Sequence, residues 1–470
     1  MTKIVPLFGI GQQGKSSTVT AQRHLNLFAE FVPDGDKTRM ALYGTPGDTL
    51  FTNFGDTPVR GAIVVGDYAY VVHRGTFYEV NNAGTRTSRG TLNTTSGRVD
   101  MAYDGTVIVI VDGTNGYTYT VSTTTLAQIG SANFPNGANT VTWLDGQFIV
   151  DTGDSDSFYI SADGTTWNAL DFATAESAPD GLVRVFADHG EVMLFGTATT
   201  EFWGNIGGAD FPFAPIKGST AEIGLASRWS VAKFDSGVAF LGKNLQGQVQ
   251  MYLTSGYSPK VISSQEIDAL INGYSTVSDA TVMSYMDRGH PMLVVNFPSA
   301  GKSWMFDAST RLWSARESGL DGDRYHGEIC FDYINKVRIC DYSDGTICNL
   351  DATVYTENGT EIAREIVGKH VMDGYDRIIV DELRVDFETG IGLSSGQGSD
   401  PQAMLSISKD NGHTWGAELW ADIGAQGDYL DRVVWRRLGM ARDWLFKIRI
   451  TDPIKVVITG AAMRMRKAVS

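Results

Sequence analysis

The chain has 470 residues, 42% of them hydrophobic and 20% charged, a composition that suits several packed domains and excludes a disordered chain. Its formal charge of −16 is uneven: residues 432–470 hold ten Lys or Arg against Asp443 and Asp452, which leaves −24 on the rest, a balance that repels nucleic acid unless one basic face is presented to it. No apolar run approaches the roughly 20 residues of a membrane span and no secretory leader pattern opens the chain, so neither a membrane span nor the usual export route is expected.

In chain order the first motif is GIGQQGKS at 9–16, which fits G-x-x-x-x-G-K-[ST], and VIVIVD at 107–112 resembles the strand that accompanies it. A phosphate loop needs a strand entering and a helix leaving, so that amides and the helix dipole converge on the phosphates beside Lys15 and Ser16. Here Pro6 interrupts the entering strand and the β-favouring run Ser17–Thr18–Val19–Thr20 follows, with almost no helical periodicity up to about residue 260. The motif therefore reads as a loop, and residues 1–54 as an extended segment packing on the propeller or the C-terminal domain inferred below.

A repeat comes next: a Gly- and Asp-rich turn, a β-branched strand, a polar turn, and an aromatic strand. Its turns lie near residues 66, 104, 145, 189, 235, 287 and 333, at intervals of 38 to 52 residues. Each hairpin has unpaired edges and too much apolar face to stand alone, and four-stranded blades around an axis resolve both problems. Residues 55–358 are expected to form a β-propeller, seven blades favoured and six or eight possible, with a β-solenoid or two sandwiches as the alternatives. One helical signal, SQEIDALINGY at 264–274, falls in the longest interval as an insertion between blades. From 359 to 470 the strands alternate apolar and polar residues, which predicts an antiparallel β-sandwich.

Sites that could carry chemistry are each matched by a structural reading. SADGTTW (161–167) and SKDNGHTW (408–415) resemble sialidase boxes, yet the box is itself a turn: Asp163 and Asp410 bind backbone amides, Gly412 supplies positive φ, and Trp167 and Trp415 pack beneath. A sialic acid clamp needs three arginines, and the first three blades offer Arg74, Arg86, Arg89 and Arg98, all beside turns. The acidic runs at 151–157 and 321–323 could hold calcium but lack EF-hand spacing. Cys330, Cys340 and Cys348, with His326 nearby, match no zinc spacing and read as reduced strand cysteines. Glu176 and Glu201 flank one strand and could approach each other, with a blade-stapling role favoured over acid and base work. No cofactor is expected, and no catalytic residue is assigned.

AESAPDG (175–181), FGTATTEFW (195–203), VVWRRLGMAR (433–442) and FKIRI (446–450), with LNLF (25–28) and LYGTPG (42–47) ahead of them, resemble in order and spacing the packaged-DNA stabilisation proteins of short-tailed bacteriophages, the tail hub or head-completion proteins. The resemblance implies a structural virion protein, assembled in the host cytoplasm into a ring, most simply a hexamer, below the portal and its adaptor. The ring would retain packaged double-stranded DNA and conduct it through its lumen at ejection. Its partners would be copies of itself, the portal and adaptor proteins, and tail fibre, tailspike or needle proteins. A basic face of Arg436, Arg437, Arg442, Lys447, Arg449, Arg464 and Arg466 is the expected contact with an acidic face of the next copy or of the adaptor, and an acidic lumen would let DNA slide. A glycan-binding or sialidase-like propeller is the alternative function.

Overall fold

The computed structural model describes residues 2–4 (backbone only), 11, 14–32, 38–135, 137–153, 155–175, 180–208 and 211–468. Strands dominate, and the helix Gln265–Ile271 is capped by Ser264, whose side chain accepts from the Ile267 amide.

The run VIVIV shows how the propeller arises. Val107–Val111 is the second strand of an antiparallel sheet, between Asp100–Tyr103 and Gly116–Thr120. Period-2 alternation sends Ile108 and Ile110 into a core with Tyr70, Val72 and Phe77 of the preceding sheet. Val109 and Val111 go the other way, into a core with Phe148, Val150 and Trp167 of the next. Both faces are buried, so the strand is apolar throughout, as parallel-sheet strands are.

This arrangement recurs around the axis. Seven antiparallel units succeed one another, their first strands being Val59–Val65, Asp100–Tyr103, Val141–Leu144, Leu182–Asp188, Val231–Phe234, Thr281–Asp287 and Gly327–Tyr333. Distinct cores lie between successive units, and the last joins Ile347 and Cys340 to Ala69 and Val71 of the first. The final unit takes its outer strand from the chain's beginning: Gly47–Asn53 pairs antiparallel with Thr346–Asp351. That closure ties residues some three hundred positions apart and removes the edge a terminal unit would otherwise expose.

The C-terminal strands form a sandwich around one core. One sheet runs Leu27–Phe31, Met40–Gly44, Val457–Lys467, Ile378–Phe387, Val433–Ala441. The other contains Arg364–Val367, Asp443–Ile450, Gln402–Ser408 and Leu419–Asp422. Leu42, Leu383, Trp435 and Met463 from the first meet Ile366, Leu405, Phe446 and Ile448 from the second. Arg23–Leu25 lies parallel to Leu312–Ala315 of the sixth propeller unit and antiparallel to Arg364–Val367, so one continuous sheet crosses from propeller to sandwich.

Candidate functional site

Two of the segments that carried the resemblance, LNLF and LYGTPG, meet at this crossing. Asn26 of LNLF is fully buried at φ 52°, a left-handed conformation that Asn tolerates. Its Nδ2 donates to the carbonyls of Glu317 and Ala363, both at 2.8 Å. Its Oδ1 accepts from Arg316 Nη1 at 2.9 Å and from the Glu317 amide at 3.1 Å. Arg316, itself fully buried, pairs with Glu357 at 3.0 Å and stacks over Tyr325. In LYGTPG, a Cβ on Gly44 would lie 2.6 Å from Arg364 Nε, and one on Gly47 only 2.3 Å from the Thr356 carbonyl, so both positions require glycine. Arg23 spans Glu317 (2.9 Å) and Glu365 (3.2 Å) above this cluster.

A second polar knot holds the closing strand. His326 bonds Asp48 through Nε2 at 2.9 Å and Asp341 through Nδ1 at 3.2 Å. Burial alone would lower the ring's pKa, but those two carboxylates and nearby Glu357 raise it to about 10, so the imidazole is a buried cation. Neither knot was singled out from the sequence, because its members lie hundreds of residues apart.

The expected turns are present. Asp163 Oδ1 accepts from the amides of Thr165 and Thr166, and these bonds hold its carboxyl at about 2 against the upward pull of burial. Gly164 sits at φ +71° and Trp167 is buried beneath, donating to the Gly164 carbonyl. In the second box Asp410 accepts from the Thr414 amide and hydroxyl, Gly412 has φ +86°, and Trp415 lies under the Lys447 ammonium at 4.7 Å. Neither turn brings a nucleophile or a carboxylate pair together. Glu176 falls outside the described residues; Glu201 accepts from the Trp203 indole at 2.8 Å. The carboxylate that binds backbone amides here is Asp180, which caps Ala198 and Thr199 at 2.6 and 2.8 Å. Of the GIGQQGKS stretch, Gly14 to Thr20 form a turn closed by Gly14 N–H to Thr20 O, and no helix follows.

Among the described residues no group of three or more His, Cys, Asp or Glu is placed to hold an ion, and Asp154 of the first acidic run lies outside them. Asp151 instead binds the amides of Asn139 and Thr140. The three cysteines are free thiols, and burial pushes Cys330 up to about 12.

The seven basic residues do not share one face. Arg436, Arg464 and Arg466 lie on the first sandwich sheet, Arg436 and Arg464 flanking Glu382 in register and Arg466 pairing with Asp381 at 3.2 Å. Lys447 and Arg449 lie on the other sheet, where alternation buries Phe446, Ile448 and Ile450 and turns the cations to the opposite outer face. Arg449 is used internally, donating to the Leu320 carbonyl at 2.7 Å. Arg442 is exposed in the link between the sheets, and Arg437 stands at φ 59° beside a bulge. A sandwich puts alternate residues of its two sheets on opposite outsides, which a one-dimensional charge count misses.

The propeller axis is closed by side chains. Thr140 and Thr142 hydroxyls accept from the amides of Val185 and Ala187, and Asp100 accepts from that of Val141, so neighbouring first strands are bonded directly. At one end Arg98 and Arg184 lie over the Trp229 ring at 5.0 and 5.1 Å. Arg98 also reaches Glu328 (3.3 Å), and Arg184 reaches Asp100 (3.3 Å), which links units across the axis. Beside this plug is a recess of about 360 Å³ that includes Arg60, Arg98, Glu328 and Tyr342 in its lining.

Propeller and sandwich, joined by one sheet and two polar knots, define a predominantly β scaffold that presents loops and sheet edges. A family model described as the beta-propeller of bacteriophage P22 Gp10 matches residues 3–355, and one described as its beta-sandwich matches residues 363–466. The chain belongs to the bacteriophage P22 Gp10 family. The tail hub protein gp10 of Salmonella phage P22 is 24% identical over 393 residues, covering 79% of this chain and 80% of that protein. Among solved structures, the WD40 β-propeller domain of Doa1 covers 65% of this chain and 96% of its own at a TM-score of 0.41 and 11% identity. YCF48 from Cyanidioschyzon merolae also covers 65% and 96%, at a TM-score of 0.41 and 14% identity.

Proposed function

We propose that this protein is a structural component of a short-tailed phage virion, a tail hub that sits below the portal and its adaptor, retains packaged DNA and conducts it during ejection. The observation that carries the reading is the match to both P22 Gp10 domains over nearly the whole chain. The interior supports it: buried ion pairs and shared sheets make one stiff body, suited to bearing load. The propeller's own axis is too narrow for a duplex, since its first strands bond to one another and Arg98, Arg184 and Trp229 fill one end. A conduit would therefore lie between copies, which favours a ring, a hexamer being the simplest form of the proposal. We read the seven units as seven blades, assign residues 55–358 to the propeller and 359–470 to the sandwich, and treat residues 1–54 as a strap shared by both.

The basic residues of the first sandwich sheet are the proposed contact with a neighbouring copy or the adaptor. Nothing supports the glycan-hydrolysing alternative, because the sialidase-like boxes are occupied by their own turn bonds. The test is genetic: an amber mutation in the corresponding phage gene should give capsids that fill with DNA and then lose it, with tails lacking the hub in electron micrographs. Full, infectious particles without this protein would refute the assignment.

A further inference from the structure

The first strands of the propeller run in one direction. Thr140 pairs with Val185 and Thr142 with Ala187, and Trp229 pairs with Val282 while Lys233 pairs with Ser284. All the turns that follow first strands therefore open on one face of the disc. In six of seven units an aspartate stands in that turn or just before it: Asp67, Asp104, Asp145 and Asp235 in the turn, Asp188 and Asp287 at the end of the strand that enters it. Of the cations nearby, Lys233 pairs with Asp188 at 3.2 Å and Arg288 of the sixth unit donates to Gly44 O and stacks on Phe28, while Lys336 stands exposed after the seventh turn. His189 also pairs with Asp188. On the same face Met286 is 57% exposed, Tyr68 40% and Trp143 37%, large apolar groups within an acidic rim.

The sandwich offers the opposite character. Its strand Val433–Ala441 is the edge of the first sheet, paired only with Ile378–Phe387. Ahead of it Leu430 is 93% exposed and Tyr429 72%, with Arg432 two residues on and Arg436 and Arg437 further along the strand. Asp428, Asp431 and the Glu382 partner of Arg436 offset part of that charge. Apolar anchors within a charged rim, with Arg and aromatic residues prominent, are the anatomy of a protein interface.

We propose that these two surfaces are the halves of one head-to-tail contact: the basic edge around Tyr429, Leu430, Arg436 and Arg437 of one copy docks on the acidic turn face around Asp104, Trp143 and Asp145 of the next. The inference rests on the hub reading above and deepens it by naming which face receives the edge. Charge complementarity selects a second copy of this chain as the occupant, since the turn face carries Asp67, Asp104, Asp145 and Asp235 and the sandwich edge carries Arg432, Arg436 and Arg437. Two different patches make a heterologous contact, which propagates and closes into a ring instead of stopping at a dimer.

The test uses full-length chains in low salt, with mass measured by analytical ultracentrifugation. Wild type should form a closed oligomer whose association weakens as salt rises. Asp104→Lys with Asp145→Lys, and separately Arg436→Glu with Arg437→Glu, should each weaken self-association about a hundredfold or more. Mixing the two variants should restore a closed oligomer in which they alternate, because the original pairing and the charge-reversed pairing are both complementary. All four substitutions in one chain should restore the oligomer. Circular dichroism and melting curves like those of wild type would show that the variants fold. Unchanged assembly of either double variant, failure of the mixture to assemble, or a wild type that stays monomeric at its solubility limit would overturn the proposed contact. None of those results would touch the hub reading, which stands or falls on the amber-mutant particles.

Discussion

Asn26 shows how much one side chain can hold. All four of its backbone and amide groups are bonded inside the junction, to Ala315, Thr45, Glu317, Ala363 and Arg316. Truncation would leave buried donors and acceptors without partners, so Asn26→Ala is expected to cost about 2–3 kcal/mol in chemical denaturation, more than the loss of an exposed amide. His326 yields a pH signature. Its folded pKa of about 10 lies above the unfolded value of 6.5, so the stability it contributes is fully present below the unfolded value and is lost as pH rises through about 10. Melting temperatures measured from neutral pH upward should fall across that interval in wild type, and His326→Gln should be less stable at neutral pH and flatter with pH. The LNLF and LYGTPG segments that carry these contacts were legible as a resemblance, but the burial of Asn26 and the glycine requirement at Gly44 were not, because the partners sit near residues 316 and 364.

At the scale of elements, the hairpin repeat was readable because a β-strand alternates every second residue and turns demand Gly, Asn or Asp. The closing strand was not. Gly47–Asn53 has the look of any short amphipathic stretch, and only pairing with Thr346–Asp351 makes it part of the last unit. A chain begun at residue 55 would leave that strand's partner as an open edge beside a half-covered core. It is expected to be recovered as aggregate by size-exclusion chromatography, and a synthetic peptide spanning residues 40–54 is expected to bind whatever soluble fraction remains. Trp167 belongs to the same scale: Trp167→Ala removes the buried indole under its turn and should cost about 3–5 kcal/mol in urea titrations.

For the whole molecule, the sheet that passes from Leu312–Ala315 through Arg23–Leu25 to Arg364–Val367 makes the two domains share backbone hydrogen bonds. Calorimetry should therefore show propeller and sandwich unfolding in one transition; two well-separated peaks would mean that the junction does not couple them. Merging of those peaks would be lost first in the Asn26 variant, since that residue links strap, propeller and sandwich. A ring built from such stiff subunits would transmit a load at one end to the other without internal yielding, the property a plug against packaged DNA requires.

Periodicity, turn composition and segment order sufficed to infer a propeller followed by a sandwich and to reject a nucleotide loop at Lys15, since these features depend on neighbours along the chain. Which faces the charges occupy, how the disc is closed and what fills its axis were settled only in three dimensions. Arg436 and Lys447 stand eleven positions apart in the sequence yet on opposite outer faces, while Asp48 and His326 are nearly three hundred apart and in contact. Local pattern dictates that a strand alternates; the packing of sheet on sheet decides which alternate side meets solvent, a partner or the core.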